Sequence, residues 1–153
     1  YRASVIIRCM PIEISHPIDA PRAEVWTELS DLSSHAEWMK DAVSIEFLSD
    51  TTSGVGTRML VPTRVGPLHT EDVIEVVGWE EGTSIAVDHR GLVTGTGEFR
   101  LEGDSPTIVV WRETLAFPWW LGGRITAALA GPVLRWIWAG NLRRFAERVV
   151  AGR

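Results

Sequence analysis

The sequence predicts an α+β domain: one strand, two short helices, six antiparallel strands and a long C-terminal helix. Three observations carry that prediction. Residues 43–117 break into short runs rich in Val, Ile, Thr and Trp, separated by turn residues. Residues 119–153 instead carry an apolar stripe at helical spacing. The chain is also long and apolar enough to bury one core, with 153 residues, 45% of them apolar, and a net charge of −5. It contains no repeat, low-complexity tract or long linker, so residues 1–153 read as a single domain.

Each element has its own signal. Pro11 to Ile18 places β-branched Ile12 and Ile14 on alternate positions and reads as the first strand. Asp19-Ala-Pro-Arg then opens a helix, with Asp19 as cap or turn former, Pro21 in the first turn, and Val25, Trp26 and Leu29 at helical spacing. Ser30-Asp31 to Ser34 breaks that helix, and a second short one runs through Trp38. Beyond Val43, turn chemistry at Ser53-Gly54, Gly66-Pro67, Glu81-Gly82 and Gly103-Asp104-Ser105-Pro106 separates six strands that end at Phe117. Their connections are too short for parallel crossovers, which take about a dozen residues or more. Pro118 ends the sheet region. The remainder is one helix with Leu142, Phe145, Ala146 and Val149 on a stripe opposite Arg143, Arg144, Glu147 and Arg148, kinked or interrupted by Pro132.

Composition excludes several classes of function. Cys9 is the sole cysteine, which rules out an internal disulfide or a CxxC pair and points to a reducing, cytoplasmic setting. His16, His35 and His69 have no metal-ligand spacing, so no metal is expected, and no cofactor motif such as a P-loop or a GxGxxG before a helix is present. Residues 119–153 hold six arginines against Glu147, whereas the first 118 residues carry a net −10. That asymmetry marks either a solvated helix face or a contact for an anionic surface. The overall acidity and the lack of a basic loop argue against nucleic acid. Tyr1 to Met10 lacks the extended apolar region and cleavage site of a signal peptide, and Met10 is a candidate initiator. The most apolar stretch, Ile125 to Gly140, contains Arg135 and Gly131-Pro132 and is too short to span a bilayer, which leaves peripheral membrane contact open.

The run PIDAPRAEVWTELSDLSSHAEWMKDAVSIEFL, followed by GVGTRM, VVGWEEGTSIAV, GEFRLE, TIVVWRETLAF and finally NLRRFAERV, resembles the START-like polyketide cyclase/dehydrase and lipid-transport superfamily, which includes the birch-pollen-allergen proteins. The likeness covers nearly the whole chain and is sharpest from Ile18 to Trp38. It implies a helix-grip fold, in which a curved seven-stranded antiparallel sheet wraps around the long C-terminal helix. It also implies an apolar ligand held between the two.

Strand alternation selects residues for such a cavity. A turn near Gly103 sets Phe99 near Val109 and Gly97 opposite Trp111, so Phe99, Leu101, Val109, Trp111, Glu113 and Leu115 share one face. Glu98, Arg100 and Arg112 take the other, charged face. Ile85, Val87 and His89 share a face by the same rule, as do Asp72, Ile74 and Val76. Candidate ligand contacts are therefore Trp38, Ile74, Val76, Val87, His89, Phe99, Val109, Trp111, Glu113, Leu115, Leu134 and Trp138. Glu113 is the most diagnostic, because a carboxylate facing an apolar interior must be paired, protonated or met by ligand. Arg58, Arg90 and Arg124 are its candidate ion-pair partners. His89 titrates near neutrality and, with Glu113, forms the candidate proton-transfer pair, against the alternative of a hydrogen-bonded structural histidine.

Trp119 and Trp120, followed by Gly122 and Gly123, precede a helical half that is apolar on nearly every side. They read as a lid over the cavity, as a dimer contact, or as a wedge at a membrane surface beside Arg124 and Arg135. The leading expectation is binding or transport of a hydrophobic small molecule such as a lipid, polyketide or isoprenoid, by a monomer or homodimer. The alternatives are a cyclase/dehydrase-type enzyme, with Arg90 or Arg124 holding an enolate, and a membrane-surface or interaction module.

Overall fold

A computed structural model describes residues 10–153, so Cys9 and the region preceding Met10 lie outside the described residues. In chain order it comprises β1 (Met10–Ile18), α1 (Arg22–Ser30), a 3-10 turn at Leu32–Ser34, and α2 (His35–Trp38). Then come β2 (Glu46–Phe47), β3 (Arg58–Val65), β4 (Leu68–Glu80), β5 (Ser84–Arg90), β6 (Thr94–Gly103), β7 (Thr107–Ala116), a 3-10 turn at Trp119–Leu121, and α3 (Gly123–Ala151). The seven strands form one antiparallel sheet in the order β1-β7-β6-β5-β4-β3-β2, with β1 and β2 as its edges. Together with the long C-terminal helix this is the helix-grip fold.

Two connections show how the chain enters its helices. Pro21, not Asp19, occupies the N-cap of α1, and the first free amide of the helix, that of Arg22, donates to Asp104 in the β6–β7 turn at 3.0 Å. The cap thus comes from a residue remote in sequence. The helix α3 continues through Pro132 without interruption. Proline removes the amide that would bond the Ala128 carbonyl, and Ala128 is exposed, so water can take its place.

The β6–β7 hairpin pairs Phe99 with Trp111, Leu101 with Val109 and Gly97 with Glu113, two residues away from the register expected from the sequence. Gly103 pairs with Thr107, which leaves Asp104, Ser105 and Pro106 as the loop. A slip of two preserves which face each side chain takes, because strand side chains alternate with period two.

The core lies where the second half of α3 covers the inner face of the sheet. Trp138, Leu142, Phe145, Ala146 and Val149 are buried there against Val25, Leu29, Trp38, Leu101, Val109 and Trp111. The basic surface of this half is not simply solvated. Arg148 bonds Glu28 and Glu37, Arg153 lies 3.0 Å from Glu24, and Arg144 Nε donates to the Trp38 carbonyl at 3.1 Å. Excess positive charge on α3 therefore meets acidic side chains of the N-terminal helices. A buried polar knot adds to this tie: Asn141, fully buried, donates to Asp41 at 2.7 Å and accepts the Lys40 amide at 3.1 Å. Trp138 Nε1 donates to the other oxygen of Asp41 at 3.2 Å.

Candidate functional site

Between the inner face of β3–β7 and the middle of α3, which contributes Leu134 and Trp138, lies a cavity of about 180 Å³, bordered at one side by Leu32, His35 and Met39. Its walls are mainly Leu, Ile, Val, Met, Phe and Trp side chains. Of the residues expected to line it, Ile74, Val87, His89, Phe99, Trp111, Glu113, Leu115, Leu134 and Trp138 do so. Trp38, Val76 and Val109 do not. They face inward as expected but are fully covered by protein, with the Trp38 ring 4.9 Å from Phe145 and 6.0 Å from Phe99. At that end α2 and the second half of α3 fill the space, so an inward side chain meets the core instead of the void.

The lid residues also stand apart. Trp119 and Trp120 are 86% and 60% exposed and line no part of the cavity. Gly122 takes the left-handed backbone at φ +89 that stops the preceding 3-10 turn, and Gly123 begins α3. The neighbouring aromatic, Phe117, is the one that borders the cavity. With Leu115 and Leu134 it lies between the cavity and a second groove of about 400 Å³ formed by β1 and α3.

At the β5–β7 side the wall becomes polar. Glu113 is buried, and each of its oxygens accepts one hydrogen bond: Oε1 from Trp111 Nε1 at 2.9 Å and Oε2 from His89 Nε2 at 2.8 Å. The expected arginine partners are elsewhere: Arg90 pairs with Glu75 at 3.0 Å, and neither Arg58 nor Arg124 borders the cavity. Among the described residues, no arginine borders the cavity to hold an enolate. Burial pulls the His89 pKa down, but the hydrogen bond and charge of Glu113, with the charges of Asp72 and Asp88, outweigh it and raise the imidazole above its ordinary range.

An inward-facing glycine, Gly97, makes this pairing possible. His89 and Glu113 lie on β5 and β7, two strand spacings or about 10 Å apart, with β6 between them. His89 is opposite Gly95 and Glu113 opposite Gly97, so β6 puts no side chain in the gap. A Cβ on Gly97 would lie 2.4 Å from Glu113 Oε1. In the sequence the signal was the pattern Gly97-x-Phe99, with a glycine at a cavity-facing position of a strand.

Asp72 and Thr70 extend the polar wall. Both are buried, and Thr70 Oγ1 donates to Asp72 Oδ2 at 3.1 Å. Asp72 Oδ1 is buried without a hydrogen-bond partner. It occupies the space beside Gly91, where a Cβ would fall 1.9 Å from it. Alternation had put Asp72 on the inner face with Ile74, but its role at the cavity was not visible in the sequence.

A family model described as polyketide cyclase / dehydrase and lipid transport matches residues 11–151. The chain belongs to this family. The polyketide cyclase/dehydrase and lipid-transport family is associated with binding hydrophobic small molecules and with cyclase/dehydrase-type chemistry. Similar solved structures include a conserved protein from Geobacillus kaustophilus, with a TM-score of 0.75, 15% identity, and coverage of 93% of this chain and 96% of that one. A START superfamily protein from Mycobacterium smegmatis matches with a TM-score of 0.71 and 13% identity, over 94% of this chain and 99% of that one. The Zhui aromatase/cyclase from Streptomyces sp. R1128 matches with a TM-score of 0.69 and 14% identity, over 92% and 93% of the two chains. At these identities the likeness establishes the fold. No curated protein matches the chain. Among the described residues, no helix is long and apolar enough to cross a membrane.

Proposed function

We propose that the protein binds a hydrophobic small molecule, of the lipid, polyketide or isoprenoid type, in the cavity between the sheet and α3. The observation that carries this reading is the cavity itself: a mainly apolar space of about 180 Å³ with a few polar groups in its wall. Burial of the ligand's apolar body supplies affinity, and Glu113, His89 and Asp72 orient its polar end. A cyclase/dehydrase-type activity is the second reading, favoured by the 2.8 Å contact between His89 and Glu113. In that reading the imidazole exchanges a proton with the bound chain while Glu113 holds the ring and balances its charge.

Native mass spectrometry of the protein purified from its own host, followed by solvent extraction, tests both. A stoichiometric apolar compound is expected. If that compound carries a carbonyl with acidic α-protons, the enzymatic reading gains, and a chemically inert compound favours binding alone. A protein that emerges empty and also fails to take up naphthalene would overturn the cavity-binding reading.

A further inference from the structure

The apolar surface on the first half of α3 and the turn before it belongs to neither the core nor the cavity. Trp119 and Trp120 stand exposed on the turn that precedes the helix. Ile125, Leu129, Val133 and Trp136 follow at steps of four, four and three residues, all exposed, so they form one stripe about 16 Å long on a single helix face. The opposite face of the same turns, at Ala127, Gly131 and Leu134, lines the groove beside β1. The charge around the stripe has one sign. From Thr114 to Ala146 the chain carries four arginines and no acidic residue, although the whole chain is net −5. Arg124 is exposed at the start of the helix, Arg135 flanks Trp136, and Arg143 is exposed two turns beyond Trp136 on the same face. Glu13, whose carbonyl accepts from Arg135, lies with Glu98 and Arg112 on the outer face of the sheet.

We infer that this face docks on an anionic phospholipid surface. Indoles favour the boundary between headgroups and acyl chains, an apolar stripe gains by entering it, and arginines alongside meet the lipid phosphates. A second copy of the chain fits the face less well. A two-fold contact packs a surface on itself, which would set arginine against arginine with no acidic residue of the stripe to pair them. A bilayer supplies the missing negative charge and accepts apolar side chains of any shape. Pro132 and Arg135, at the margin of the stripe, also border the groove that shares Leu115, Phe117 and Leu134 with the cavity. Docking on this face therefore brings the lipid next to that groove.

Docking does not depend on a filled cavity, and co-sedimentation of the full chain with vesicles tests it. Phosphatidylcholine vesicles with and without about 30% phosphatidylglycerol are compared in about 20 mM and about 500 mM NaCl. The protein is expected to pellet with the anionic vesicles at low salt, and to bind at least about tenfold more weakly to pure phosphatidylcholine or at high salt. Two double variants divide the contributions. Arg124→Gln/Arg143→Gln should weaken binding to anionic vesicles at least about tenfold, and Trp120→Ala/Trp136→Gln should weaken it as much. All four side chains are exposed, so an unchanged unfolding midpoint is the check that each variant keeps its fold. The lipid comparison on the unaltered protein decides the matter even if a variant fails that check. Absence of pelleting at low salt, or equal binding to both vesicle types, would overturn the inference. So would a dimer in sedimentation velocity that Trp136→Gln dissociates, without vesicle binding, which would give the face to a second copy. Naphthalene uptake, read in parallel, reports on the cavity alone, so the two readings fail separately.

Discussion

His35 and His89 carry the same side chain in opposite environments. His35 is buried beside Trp38 and donates from Nε2 to the Leu29 carbonyl at 2.8 Å, and burial lowers its pKa from 6.5 to about 4. The unfolded chain takes up this proton near 6.5 and the folded chain only near 4, so stability falls as pH drops across that window. The full effect is about 3 kcal/mol. His89, raised by Glu113, contributes in the opposite sense: its stabilisation is complete below 6.5 and is lost as pH rises through the raised value. Histidine NMR titration should therefore place the two on opposite sides of 6.5, and urea unfolding of His35→Phe should lack part of the loss between pH 6.5 and 4. At this scale the sequence was informative about direction and silent about partners. Alternation alone turned Glu113 and His89 inward, but their meeting depends on strand order and on Gly97 of an intervening strand. Asp72 was read onto a face and no further, because an unsatisfied oxygen is a property of packing.

Among the elements, α3 has two unlike halves. Its second half is fastened by apolar packing and by Asn141, which links the helix to Lys40 and Asp41. Replacing Asn141 with Ala removes the donor to Asp41 and the acceptor for the Lys40 amide within a buried region. We expect a loss of about 1–3 kcal/mol in denaturant unfolding, with the transition slope unchanged. The extent of α3, the stripe Leu142, Phe145, Ala146 and Val149, and the six strands before it were legible because each depends on local periodicity. Two features were not. Proline at position 132 is a strong local signal for a break, yet the exposed setting of Ala128 lets the helix continue. The hairpin register depended on how many residues the loop at Asp104 consumes, and composition does not set that number.

Across the whole molecule, apolar surface is distributed unevenly. The first half of α3 and the turn before it expose Trp119, Trp120, Ile125, Leu129, Val133 and Trp136, the last at 78%. None of these side chains supports the core, so Trp136→Gln should change the unfolding midpoint by no more than about 0.5 kcal/mol in free energy while reducing binding of an apolar dye to the surface. The sequence showed that this half was apolar on nearly all sides, and it could not show that much of that surface remains uncovered. At the opposite margin of the sheet, β1 is an edge strand that runs beside α3. Such an edge invites pairing with another chain. Here Pro11 and Pro17 offer no amide, Arg135 Nη1 donates to the Glu13 carbonyl at 2.8 Å, and His16 Nδ1 donates to the Pro17 carbonyl at 2.7 Å. These odd-numbered positions share one side of the strand, so that side lacks two of its amides and has two of its carbonyls engaged, while the amides of Glu13 and Ser15 remain. The two missing amides and the Arg135 contact make this margin a poorer template for a visiting strand than its nine-residue length suggests.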